Sequence, residues 1–67
     1  MTNSNGQSGQ RLLTVKQLAA LLTVSTTSIY RLVEHREIPF FRLPHGLRFD
    51  EADVSEFLKQ RRVEAVD

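Results

Sequence analysis

Two helix-start signals lie eleven positions apart near the front of this chain, and that spacing limits the fold more than any other feature. Thr14 and Gln17 form an S/T-x-x-Q capping box, in which each side chain satisfies a backbone donor of the other residue. Leu13 before the cap and Leu18 inside the helix have the spacing of a hydrophobic staple. Val15, Leu18, Ala19 and Leu22 then fall at i, i+3, i+4 and i+7, one face of a helix of roughly two turns. Ser25 is the next N-cap, opening a second helix from about Thr26 to Arg36 that buries Ile29, Leu32 and Val33. Only Thr23, Val24 and Ser25 separate the two helices. So short a joint does not let them run antiparallel, and it makes a helix-turn-helix.

The remaining elements follow from turn and cap chemistry. Ile38-Pro39-Phe40-Phe41-Arg42-Leu43 and Leu47-Arg48-Phe49 flank Pro44-His45-Gly46. The pattern predicts a hairpin closed by a three-residue turn, with Gly46 free to take a positive φ. That turn sets Phe41 and Leu43 on one face with Leu47 and Phe49, and Arg42 and Arg48 together on the solvated face. A two-stranded hairpin is marginal alone, so it must pack on the helices. Asp50 caps a third helix, about Glu51 to Arg62, burying Val54, Phe57 and Leu58. Its early acids and its late Lys59, Arg61 and Arg62 complement the helix dipole. The expected fold class is mainly α with a small β-hairpin: a winged helix-turn-helix in the order helix, helix, hairpin wing, helix. Residues 11–62 form this domain. Residues 1–10, all Met, Thr, Asn, Ser, Gly and Gln, read as a disordered tail, and 63–67 as a short C-terminal tail.

Size and composition narrow the function. At 67 residues the chain is one small domain that buries only about 60% of its unfolded surface, which leaves little room for an enzyme pocket with its own walls. No enzyme is expected. Asp50-Glu51-Ala52-Asp53 spells a helicase-like string, but helix capping accounts for those acids. The chain has no cysteine, and His35 and His45 show no ligand spacing, so neither a metal nor a cofactor is expected. No apolar run approaches the ~20 residues that span a bilayer, so a cytoplasmic protein without a membrane partner is expected. The net charge of +1 conceals an asymmetry. Residues 11–49 hold six bases and two acids, net +4, whereas residues 50–67 hold three bases and six acids, net −3. A basic region of that kind suits a polyanion.

Several of these residues together resemble the excisionase-type DNA-binding domain, a small winged helix-turn-helix related to the MerR N-terminal domain. The resemblance rests on Leu13-Thr14-Val15, Leu18-Ala19-Ala20-Leu21-Leu22, Val24-Ser25, Ile29-Tyr30-Arg31-Leu32, Ile38-Pro39, Arg42 and Phe49. It covers about residues 12–60. Family members usually carry Gly where this chain has Thr23, and many carry Arg where it has Thr26. The resemblance implies a second helix in the major groove of duplex DNA and a wing on the minor groove or its phosphates. It also implies a recombination directionality factor acting beside an integrase, or a small transcription regulator working with the transcription machinery. A reading from another class is a protein-interaction adaptor without DNA binding. With no coiled-coil heptads and no free apolar helix face, the expected state is a monomer that gains affinity by adjacent binding on DNA.

The candidate DNA-binding residues are Thr26, Thr27, Tyr30, Arg31, Arg42, His45 and Arg48. Arg31 can make a bidentate contact to guanine O6 and N7, and Tyr30 can donate to phosphate or pack on a thymine methyl. Thr26 and Thr27 place hydroxyls at a helix N-terminus, where backbone donors attract phosphate. Ser25 is better explained by capping alone. Arg42, His45 and Arg48 crown the wing, where arginine reads groove shape. The plainer reading of those wing charges is protection of an exposed strand edge. Glu34 and Glu37 are spaced to pair with Arg31 and Arg36. Because residues 1–10 hold almost nothing that can be buried, deleting them should leave the melting temperature unchanged, a result that differential scanning calorimetry would check directly.

Overall fold

The computed structural model describes residues 11–65. The expected tail at 1–10 lies outside the described residues, as do 66 and 67. The element order is β1 (Leu12–Leu13), α1 (Val15–Leu22), α2 (Thr26–Glu34), β2 (Phe41–Leu43), β3 (Gly46–Asp50) and α3 (Glu51–Gln60). This is a compact winged helix-turn-helix, three helices plus a small antiparallel hairpin, as the sequence pattern predicts.

Each helix starts where its cap residue says it should. The Thr14 N–H donates to Gln17 Oε1 at 2.9 Å, and the Gln17 N–H donates to Thr14 Oγ1 at 3.1 Å. That is the complete reciprocal box. Ser25 Oγ accepts the Ser28 N–H at 3.2 Å, and Asp50 accepts the Ala52 N–H at 2.8 Å. The first two helices end alike. Thr23 takes the left-handed conformation at φ 59° and ψ 44°. Its N–H donates to the Ala20 carbonyl at 3.2 Å, and the Val24 N–H donates to the Ala19 carbonyl at 3.0 Å. This is a Schellman motif, which uses up two of the carbonyls orphaned at the helix end. Arg36, at φ 55°, repeats it: Arg36 N–H donates to Val33 and Glu37 N–H to Leu32. Arg36 therefore lies beyond α2, not within it.

The sheet differs from the expected hairpin in two ways. First, Leu12 and Leu13 form a third strand, giving the antiparallel order β1-β3-β2 with Leu13 opposite Phe49 and Leu12 opposite Asp50. Two apolar residues before a helix cap are too short a run to announce a strand. Second, the turn holds two residues, Pro44 and His45, because Leu43 pairs with Gly46. Phe41 consequently faces Arg48, and Arg42 faces Leu47. Opposed residues share a face, so a register shift of one residue exchanges the two faces. Arg42 and Arg48 lie on opposite faces of the wing, not together as the three-residue turn implied. Phe41 and Leu43 likewise share the outer face with Arg48, away from Leu47 and Phe49.

The core is Leu18, Ala19, Ile29, Ile38, Phe49, Val54 and Phe57, with Leu18, Ile29 and Phe49 wholly excluded from solvent. Leu32 and Val33 are only partly buried at its margin. Leu58 is 46% exposed rather than buried, so the inner face of α3 rests on Val54 and Phe57. α3 stops at Gln60, two residues short of the expected end. Arg61 then folds back. Its guanidinium lies 3.9 Å from the Phe57 ring centroid and 2.8 Å from Glu37 Oε1. Glu37 thus ties the loop after α2 to the end of α3, whereas the sequence spacing suggested Arg36 as its partner.

Thr23 gives a direct test of the turn. A left-handed L-residue costs about 1–2 kcal/mol, and a glycine there returns about 0.5–1 kcal/mol of that in chain entropy. Thr23→Gly should therefore stabilise the domain by about 0.5–1 kcal/mol. Urea melts should show a higher midpoint at an unchanged slope.

Candidate nucleic-acid interface

On α2 the residues opposite Ile29, Leu32 and Val33 are polar and exposed. Thr26, Thr27 and Arg31 all stand in solvent. Tyr30 is 53% exposed, a large fraction for an aromatic ring. The helix is short and its N-cap is engaged by Ser28, so Ser25 acts as a structural cap, and the next two residues, Thr26 and Thr27, are exposed.

The wing approaches this helix on one side. Tyr30, His45, Gly46, Leu47 and Arg48 line one groove of about 320 Å³ together with Thr14, Val15 and Lys16 from the start of α1. Three of the seven candidate residues, Tyr30, His45 and Arg48, therefore meet. Arg48 is partly buried and its Nη1 donates to the Leu47 carbonyl at 2.8 Å, which holds the guanidinium against the turn. Thr26, Thr27 and Arg31 are outside this groove, on the exposed side of α2. Arg42 is apart from both. Its guanidinium lies 5.8 Å from the Phe40 ring centroid, within cation–π range, on the other face of the wing.

Lys16 is the groove residue that sequence reasoning did not single out. It occupies a capping-box turn and carries no pattern of its own. Its neighbours come from residues 30 and 45–48, which only the packed sheet brings to α1.

The charges are sorted in space. Among the described residues, no carboxylate lines the groove between α1 and the wing. A separate groove of about 130 Å³ gathers Glu37, Asp53 and Glu56 beside Phe57 and Gln60. Among the described residues, no group of three or more His, Cys, Asp or Glu side chains comes together as a metal site. No helix among them is long and apolar enough to cross a membrane.

A helix-turn-helix whose second helix meets a wing bearing His45 and Arg48 defines a class of DNA-binding domain. The family comparison agrees: residues 12–62 match the helix-turn-helix domain model, and the chain belongs to that family. Two relatives come from Mycobacterium tuberculosis, one from strain CDC 1551 / Oshkosh and one from strain ATCC 25618 / H37Rv. Each is 34% identical over 71 residues, covering 88% of this chain and 91% of the relative. Their names give DNA binding as a provisional role. No solved structure gives a significant match.

The hinge of the wing makes the geometry testable. Gly46 sits at φ +124°, a conformation that L side chains rarely adopt, although a Cβ there would meet only Arg48 Nη1 at 3.5 Å. The obstacle is backbone strain rather than space, of about 1–3 kcal/mol. Gly46→Ala should lower the melting temperature by about 5 °C or more, read by circular dichroism.

Proposed function

We propose that this chain is a sequence-specific duplex-DNA-binding protein, with α2 entering the major groove and the β2–β3 wing lying on the minor groove or its phosphates. One observation carries the reading: Tyr30 belongs both to the exposed face of α2 and to the groove it shares with His45 and Arg48. Helix and wing thus meet along one exposed groove that carries Tyr30, His45 and Arg48. In this reading Arg31 reads bases, Thr26 and Thr27 reach the nearest phosphates, and Tyr30 spans helix and wing. A wing at the minor groove meets a phosphate strand on each side. Arg42 and Arg48, on opposite faces, each address one of them, and His45 at the tip lies between.

The role we infer is that of a recombination directionality factor, organising a site beside an integrase. The outer sheet face favours such a protein partner, because Leu12, Phe41 and Leu43 are each about 40% exposed there. The second reading is a small transcription regulator of the same architecture. An excision assay with a neighbouring integrase separates the two: stimulation of excision supports the first, and its absence with retained site binding supports the second. The protein is expected to be a monomer free in solution and to bind adjacent sites on DNA.

The division of labour has a thermodynamic signature. Arg31→Ala should cost about 1–3 kcal/mol on the preferred site and narrow the gap to unrelated duplex, because a base contact exists only on the right sequence. Arg48→Ala or Arg42→Ala should weaken all duplexes by similar factors and flatten the salt dependence by about one unit of slope. Fluorescence titrations of each variant on site and non-site duplexes, at several salt concentrations, distinguish these outcomes. Equal losses from Arg31→Ala on both duplexes would show that α2 does not read sequence.

A further inference from the structure

The groove between α1 and the wing gathers basic side chains from separate parts of the fold. Lys16 comes from the first turn of α1, His45 from the hairpin turn and Arg48 from β3. The first helix and the wing, distant in sequence, thus bring three basic side chains to one open groove, and no carboxylate among the described residues lines it. Among the described residues, neither Lys16 nor His45 makes an ion pair or a side-chain hydrogen bond, and Arg48 bonds only to its neighbour's carbonyl. Three of the acids are occupied or placed elsewhere: Glu37 pairs with Arg61, and Asp53 and Glu56 line the separate groove.

Gathering like charges without a counter-charge is unfavourable in the free protein, and an anion in the groove reverses the sign of that interaction. The lining also fits a particular anion. Val15 and Leu47 supply apolar wall, and Thr14 and Tyr30 supply hydroxyls beside the cations. A phosphodiester flanked by its two deoxyriboses presents the matching pattern, charge at the centre and apolar carbon on either side. The groove is open to solvent rather than closed over, so it does not enclose a free small molecule.

The geometry points to a seat for one phosphodiester of the duplex backbone, held by Lys16, His45 and Arg48 with the Tyr30 hydroxyl as a neutral donor. This rests on the DNA-binding reading above and extends it to α1. The first helix is then a contact element as well as the scaffold for α2, and Lys16 is a binding residue. With contacts from α1, α2 and the wing meeting at one phosphate, that phosphate fixes the register of the domain on DNA.

Lys16 is exposed, so its replacement leaves the core intact. The experiment is a fluorescence-anisotropy titration of the full chain with a random-sequence 20-base-pair duplex, from about 50 to 200 mM salt. Lys16→Gln should reduce the slope of log affinity against log salt by about 0.9, equivalent to about eightfold weaker binding at 0.1 M salt. Lys16→Arg should restore the slope. Lys59→Gln, on α3, should leave it unchanged, and a drop equal to that of Lys16→Gln would show a general charge effect and overturn the seat. Unchanged melting of each variant by circular dichroism confirms that binding alone is altered. If the unsubstituted chain shows no salt-dependent duplex binding, the DNA-binding reading itself fails. If it binds and Lys16→Gln keeps its slope, only the seat fails. Saturable binding of inorganic phosphate at submillimolar concentration, followed by amide chemical shifts around Lys16 and His45, would identify a free-anion site and overturn the duplex assignment.

Discussion

The burial of Phe49 is the interaction on which the other contacts depend. It is the largest side chain wholly removed from water and sits in the middle strand of the sheet. On one side β3 pairs with β1, on the other with β2, and helices pack over the face that Phe49 presents. The next residue, Asp50, ends the strand and caps α3. The position of the wing and the start of α3 are thus fixed by adjacent residues of one strand. The described residues form one core cluster, so the placement of the candidate DNA-facing residues depends on this one ring being enclosed.

Local chemistry made the helices legible. Thr14, Ser25 and Asp50 each carry an oxygen that can accept from the following turn, and each cap forms as its spacing indicates. The helix periodicity also placed Leu18, Ile29, Val54 and Phe57 inside. The helix ends were less legible, because Arg36 can occupy a left-handed position that favours glycine and so carries no stop signal of its own. The wing exposed a sharper limit. Pro44-His45-Gly46 is compatible with either a two- or a three-residue turn, and choosing between them reverses the face of every strand residue. Local preference does not decide that choice. The pairing of Leu43 with Gly46 along the two strands does.

The candidate site was legible by element and not by neighbourhood. Tyr30 and Arg31 follow from the polar side of α2, and His45 and Arg48 from the wing. That Tyr30 belongs with His45 and Arg48, that Arg42 does not, and that Lys16 does, depends on how the sheet closes over α1. The charge asymmetry of the sequence did not resolve where the charges go. The Arg61–Glu37 pair shows why, since a base in the acidic third of the chain is spent on an acid in the basic part.

The pairing of β1 with β3 also sets an order in time. Leu13 finds its partner at Phe49, thirty-six residues later. The capped α1–α2 unit uses short-range contacts and can form early, whereas closing so long a loop is slow and must await nearly the whole domain. During synthesis the first strand to emerge therefore remains unpaired until the last strand has followed it. No nascent chain that stops short of Phe49 can complete the sheet, and the surface shared by helix and wing comes into being only at the end.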